Sequence, residues 1–264
     1  MVTLFGDIHG ADNLVIFNEE NFPEGQKMSK NDDVIILGDF GVPWTSPNSD
    51  YYEHEIEALH CLSNRPWTTL VVDGNHENYD NFNGNLIDSK FGGPVDVIAK
   101  DVFHLNRGYI YEIEGAKFLA VGGATSIDRD GRIEGKSYWR EEELSAAEAN
   151  FVVSNLEKNN NQVDYVITHT CPTFVAQILL DKLNGYKAEL SPCSVQKLFS
   201  YIYARLTFKR WFFGHFHTDF RYITLGGEIF QCLYNQWTEL NLTNNTIKNH
   251  KVGRTFPQGY LRIF

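Results

Sequence analysis

Thr69-Leu70-Val71-Val72-Asp73-Gly74-Asn75-His76-Glu77 is the stretch whose reading decides the fold. Its first four residues are apolar or β-branched without polar alternation, which predicts a strand buried on both faces. The strand ends in a glycine turn bearing an amide oxygen and an imidazole. In α/β sheets, ligands bind at the carboxyl ends of strands. A metal ligand at Asn75 and a proton donor at His76 would suit that place. A strand-terminal Gly-Asn turn is common, however, and alone carries no function.

Outward from this stretch the arrangement recurs. Val2–Phe5 runs into Gly6-Asp7-Ile8-His9-Gly10, and Val34-Ile35-Ile36-Leu37 into Gly38-Asp39-Phe40-Gly41. Helical spacing is expected between them, over Ala11–Glu20 and over Tyr51–Leu62. Strand–helix–strand–helix–strand in the first 75 residues predicts a parallel sheet of βαβ units. Short strands follow at Val95–Ile98, Val102–Leu105, Tyr109–Ile113 and Lys117–Val121, with Glu114-Gly115 as a hairpin turn. Gly122–Arg140 is glycine-rich and charged and reads as a functional loop. Ser145 should cap a helix to Leu156, with Glu148 closing a capping box. Asp164–Thr168 is a strand ending in His169-Thr170-Cys171-Pro172. Helical segments fit Phe174–Leu183 and Ser194–Leu206. Arg210–Phe213 ends in Gly214-His215-Phe216-His217, and Asp219–Phe264 reads as further strands.

Composition narrows the classes. With 264 residues, 42% of them hydrophobic and 14% aromatic, the chain can bury a sizeable core, and without linker or repeat it is expected to form one domain, 1–264. The net charge of −11 and the lack of a basic run disfavour non-specific nucleic-acid binding. No apolar run is long enough for a membrane span, and the chain opens on a strand rather than a leader. Cys61, Cys171, Cys193 and Cys232 have no C-x-x-C spacing, so reduced thiols and a cytoplasmic location are expected.

Five of the nine histidines follow strand-like runs, and they do so beside Asp7, Asp39 and Asn75. Each residue alone is most simply a loop cap or a satisfied histidine. Together, at the ends of five strands, they predict one cluster, provided the strands are parallel neighbours in a sheet. Without a cation that cluster would be a costly nest of polar groups; with two divalent ions it is an ordinary mixed nitrogen and oxygen ligand set. Mn, Fe and Zn suit such a set alike. Cys171 beside His169 is the alternative nucleophile, but it lacks a base if His169 is a ligand.

The ordered blocks Asp7-x-His9, Gly38-Asp39, Gly74-Asn75-His76-Glu77, His169 and Gly214-His215-x-His217 closely resemble the calcineurin-like metallophosphoesterase superfamily. The resemblance implies an α/β four-layer sandwich, two mixed β-sheets flanked by helices, with two divalent metal ions at the sheet edge. It implies Asp7, His9 and His217 on one ion, Asn75, His169 and His215 on the other, Asp39 bridging, and His76 contacting phosphate and protonating the leaving group. A hydroxide held between the ions would attack phosphorus in line. Arg107, Arg129, Arg132 or Arg140 could add a bidentate phosphate contact.

The wording is partly that of Ser/Thr protein phosphatases and diadenosine tetraphosphate hydrolases, with two departures. Val42 stands where those enzymes have an aspartate paired with the catalytic histidine, and His169-Thr170-Cys171 replaces His-Gly-Gly. The chain looks more like the broader bacterial or phage group. The expected function is therefore a phosphomonoesterase acting on a phosphoprotein or small phosphate ester. A phosphodiesterase, nuclease or dinucleoside polyphosphate hydrolase is the alternative, and a non-catalytic scaffold the third. His76 needs an orienting partner, for which Glu77, Asp73 and a backbone carbonyl are the candidates.

Overall fold

The computed structural model describes residues 1–82, 87–184 and 192–252. Its strands are β1 (Val2–Phe5), β2 (Asp33–Leu37), β3 (Thr68–Val72), β4 (Ile87–Lys90), β5 (Gly93–Ala99), β6 (Val102–Leu105), β7 (Ile110–Ile113), β8 (Ala116–Val121), β9 (Tyr165–Thr168), β10 (Arg210–Phe213), β11 (Phe220–Ile223), β12 (Ile229–Cys232), β13 (Gln236–Asn241) and β14 (Thr246–Lys251). The helices are α1 (Tyr52–Ser63), α2 (Tyr79–Phe82), α3 (Ala146–Lys158), α4 (Thr173–Asn184) and α5 (Ser194–Tyr203).

The strands form two mixed sheets. One has the order β14-β13-β1-β2-β3-β6-β5-β4, with β1, β2, β3 and β6 parallel; the other has β11-β12-β10-β9-β8-β7, with β8, β9, β10 and β12 parallel. The site-bearing strands are thus not neighbours in a single sheet. The tight β7–β8 hairpin, turned by Glu114 and Gly115 at positive φ, starts a second sheet stacked on the first.

Alternation along each strand explains the layers. Leu4, Ile35 and Leu70 point between the sheets, where they meet Tyr111, Phe118, Ile167 and Phe212. Their neighbours Phe5, Ile36 and Val71 face the other way, against Phe22, Leu59 and Trp67 under α1. On the second sheet Leu119, Val166 and Trp211 face Val152, Leu179 and Phe199 of α3, α4 and α5. Both faces of the central strands β1, β2, β3, β9 and β10 are covered, so these read as largely apolar runs, unlike the exposed edge strands β11 and β14. Burying one such leucine or valine contributes about 1.5–3 kcal/mol.

Two local predictions meet different outcomes. Ser145 accepts the Glu148 amide and Glu148 accepts the Ser145 amide and hydroxyl, the capping box that starts α3. The helix expected over Ala11–Glu20 is instead a 3-10 segment, Ala11–Phe17. Asn18 ends it, because its side chain accepts the Asn21 amide while its own backbone turns extended. The segment still buries Leu14, Ile16 and Phe17. The strands expected beyond Asp219 are β11–β14; residues 253–264 lie outside the described residues, as do residues 185–191.

Candidate metal centre

The parallel strands of both sheets end at the same edge of the sandwich. Asp7 follows β1, Asp39 follows β2, and Asn75 and His76 follow β3; His169 follows β9, and His215 and His217 follow β10. Hydrogen bonds stitch the two sheets together here: the His215 amide donates to Asp7 Oδ1 at 2.9 Å, and His169 Nδ1 donates to the Leu37 carbonyl at 2.8 Å, which leaves Nε2 to coordinate.

Ligand atoms of Asp7, His9, Asp39 and His217 all lie within 4.8 Å of one another. His9 Nε2 is 2.8 Å from His217 Nε2, and His217 Nε2 is 3.2 Å from Asp7 Oδ2. A second set meets beside it, with His169 Nε2 3.1 Å from both Asn75 Oδ1 and Asp39 Oδ1. The His215 ring packs edge-on against His169, 5.0 Å between centroids. Asp39 belongs to both sets: Oδ1 faces His169, and Oδ2 lies 3.7 Å from His9 Nε2.

The backbone here is special as well. His9, Asp39, His215 and His217 have φ between +47° and +70°, a region that side chains rarely adopt. Such strain persists where surrounding contacts over-determine it, and it clusters at functional sites. Glu77 supplies several of those contacts. Its buried carboxylate accepts the amides of Phe40, Gly41 and Gly74, bracing the Asp39 loop against the Asn75 loop. Burial pushes the Glu77 carboxyl up to about 8, against the pull of those three donors.

The electrostatics fit a bound cation. Burial opposes the charges on Asp7 and Asp39, yet the surrounding imidazoles hold both carboxyls well below their ordinary range. His169, although buried, is pushed up to about 10 by Asp39 and Asp7. Two buried carboxylates thus call for positive charge at this point. Metal ligation needs the same imidazole deprotonated, so a cation would take the place of its proton. The donor set of carboxylates, imidazoles and one amide oxygen suits divalent ions of intermediate hardness.

Gly74 shows how tightly the loops are fitted. A Cβ there would stand 2.1 Å from Asp39 Oδ1 and 2.3 Å from Asp39 N. Gly74→Ala is expected to displace the Asp39 carboxylate, lowering metal content while costing about 1–3 kcal/mol of stability. Wild-type metal content in a folded Gly74→Ala protein, measured by elemental analysis with circular dichroism as control, would contradict this packing.

His76 donates its backbone amide to Asp39 Oδ1 at 2.8 Å, and its ring packs 5.3 Å from that of His9. Neither Glu77 nor Asp73 reaches the ring. The Arg132 guanidinium lies alongside it, Nη1 3.3 Å from Nδ1 and Nη2 3.4 Å from Nε2. Asp128 and the Ser137 carbonyl hold Arg132 in place. Burial, followed by the positive charges of His9 and Arg132, lowers His76 to about 4 despite Asp39. Val42 is buried in the layer under α1.

The other arginines are committed elsewhere. Arg129 pairs with Glu142 and Glu143, and Arg140, largely exposed, with Glu134. Arg107 is buried on Asp73, with Tyr79 and Glu148 beside it. Cys171 is buried and its thiol is pushed well above the ordinary range, which removes it as a nucleophile.

Asp73 belongs to a separate network behind the site. His104 is clamped between Asp73 at 3.0 Å and Asp96 at 2.9 Å. Burial works against its charge, but the hydrogen bonds to Asp73 and Asp96 push it up to about 9. The folded value exceeds the unfolded one near 6.5, so this stabilisation is complete below pH 6.5 and lost as pH rises through 9. Melting temperature is expected to fall over that window, and His104→Gln to flatten the fall. Equal slopes for the two proteins would refute the clamp.

A fold of two stacked sheets carrying a carboxylate–imidazole cluster at one edge defines a hydrolytic metalloenzyme. The chain belongs to the calcineurin-like phosphoesterase family, whose model matches residues 1–219, and is a metal-dependent phosphoesterase. The family is dinuclear-metal-dependent. No curated protein matches the chain. Among solved structures it is similar to the phosphopantetheinyl hydrolase of Mycobacterium tuberculosis, at 13% identity and a TM-score of 0.40, covering 88% of this chain and 89% of that one. Among the described residues no helix is long and apolar enough to cross a membrane.

Proposed function

We propose that the protein is a phosphomonoesterase using two divalent ions, with Mn, Fe and Zn all compatible with its ligands. The observation that carries this reading is Asp39, whose two oxygens face two separate ligand sets. In the proposed arrangement Asp7, His9 and His217 complete one set, and Asn75, His169 and His215 the other. Bound there, the ions supply Lewis acidity and an activated water.

The chain's own residues do the rest. Asp39 fixes the spacing of the two sets and, through the His76 amide, the position of the His76 loop. His76 presents an imidazole to the phosphoryl group; held at about 4 by burial and its cationic neighbours, it would gain its proton only beside the phosphate dianion and pass it to the leaving oxygen as charge builds there. Arg132 adds a fixed cation beside it, which favours the doubly charged monoester over the singly charged diester. The acidic surface supports a small phosphate ester or phosphoprotein rather than a nucleic acid as substrate. The four free cysteines support a cytoplasmic setting.

The test compares 4-nitrophenyl phosphate with bis(4-nitrophenyl) phosphate in the presence of Mn²⁺. The monoester is expected to have the higher kcat/KM. A preference for the diester would transfer the reading to phosphodiesterase chemistry. No turnover of either, with no metal bound, would leave a scaffold.

A further inference from the structure

Asn75 can turn either end of its carboxamide toward the site. Only the oxygen can ligate a cation; the NH₂ end has no lone pair to give. Electron density rarely distinguishes the two ends, and hydrogen-bonding partners decide between them. The partners here form a buried chain leading away from the site. Asn75 Nδ2 donates to Ser126 Oγ at 3.1 Å, and Ser126 Oγ donates to Glu142 Oε2 at 2.6 Å. The Ser126 amide donates to Glu142 Oε1 at 3.1 Å, as does Arg129 Nε at 2.9 Å. Asn75, Ser126 and Glu142 are all buried, Glu142 completely.

The chemistry gives this chain one direction. Glu142 is the acceptor for Arg129 and for the Ser126 amide, and in the same way it takes the single hydroxyl proton of Ser126. Ser126 Oγ is left with lone pairs alone for Asn75. The end of Asn75 that meets it must therefore be the NH₂, and the oxygen must face His169, as it does. Arg129 and the Ser126 amide hold Glu142 in register.

We propose that Ser126 and Glu142 are positioning residues that set the Asn75 carboxamide with its oxygen toward the metal site. The proposal rests on the dinuclear reading above. It gives the Gly122–Arg140 loop a second task beside placing Arg132: the loop also polarises a ligand from outside. Partners of this kind typically govern metal affinity by 10–100-fold.

The test is calorimetric titration of the metal-free full chain with Mn²⁺, which reads binding without turnover. Wild type is expected to show two binding steps. Ser126→Ala should weaken one step about 10–100-fold and leave the other, held by Asp7, His9 and His217, unchanged. Ser126→Thr keeps the hydroxyl and should restore the weakened step. Glu142→Gln lets the hydroxyl turn toward Asn75 and should weaken the same step. Two unchanged steps in Ser126→Ala, or equal losses in the alanine and threonine variants, would overturn the proposal while leaving the phosphoesterase reading intact. A wild-type chain that takes up no Mn²⁺ would defeat both together.

Discussion

An Asp39→Ala protein is expected to purify with neither metal ion and to hydrolyse 4-nitrophenyl phosphate no faster than buffer. Asp39 sets one oxygen 3.1 Å from His169 Nε2 and the other 3.7 Å from His9 Nε2, so it faces both ligand sets. Its loss also strands His169, whose charge Asp39 and Asp7 support, and removes the acceptor of the His76 amide. The change therefore reaches three site residues in one step. Enzymes commonly accelerate such reactions by roughly a millionfold or more, and nearly all of that should disappear. Elemental analysis beside a turnover assay reads the outcome directly. Two ions per chain in the alanine variant would show that the bridge has been misassigned.

His76→Ala should behave differently. The imidazole meets the Arg132 guanidinium and the edge of His9, whereas the proposed ligand atoms are held by other residues. Metal content is expected to stay at the wild-type level while kcat falls by about 10²–10⁴, the usual worth of a positioned proton donor. The loss should also depend on the leaving group. Nitrophenolate departs easily without a proton, so the deficit should be smaller there than with an alkyl phosphate such as glycerol phosphate. An equal deficit on both would show that His76 binds the phosphoryl group without protonating anything.

Much of this was legible in the chain. Largely apolar runs located the central strands because both of their faces are covered, and the residues after those runs named the cluster. The capping box at Ser145 was readable because it is a contact between residues three apart. The division into two sheets was legible only through the family resemblance, since β1 to β3 and β9 to β10 carry the same apolar pattern whichever sheet they join. Local competition hid the 3-10 geometry after Ala11: Asn18 and Asn21 outbid the helix for backbone groups. The choice among four arginines was also hidden, because it depends on which carboxylates claim Arg107, Arg129 and Arg140. Ser126 and Glu142 carried no signal at all. A serine and a glutamate sixteen positions apart become a relay only when the chain between them folds back.

The stitch between the two sheets has a consequence for how the protein is made. His9 and His217 touch across 208 positions of sequence. A chain leaving the ribosome presents Asp7, Asp39 and Asn75 long before His169, His215 and His217 exist to meet them. Domains fold as units once their parts are available, and here the two sheets are complete only when β12 and β13, which pair with β10 and β1, have emerged. A cation that arrives earlier finds half a cage, with carboxylates and no facing imidazoles. Both ligand sets therefore close late, and a chain cut anywhere before His215, which lacks His217 as well, should retain neither ion.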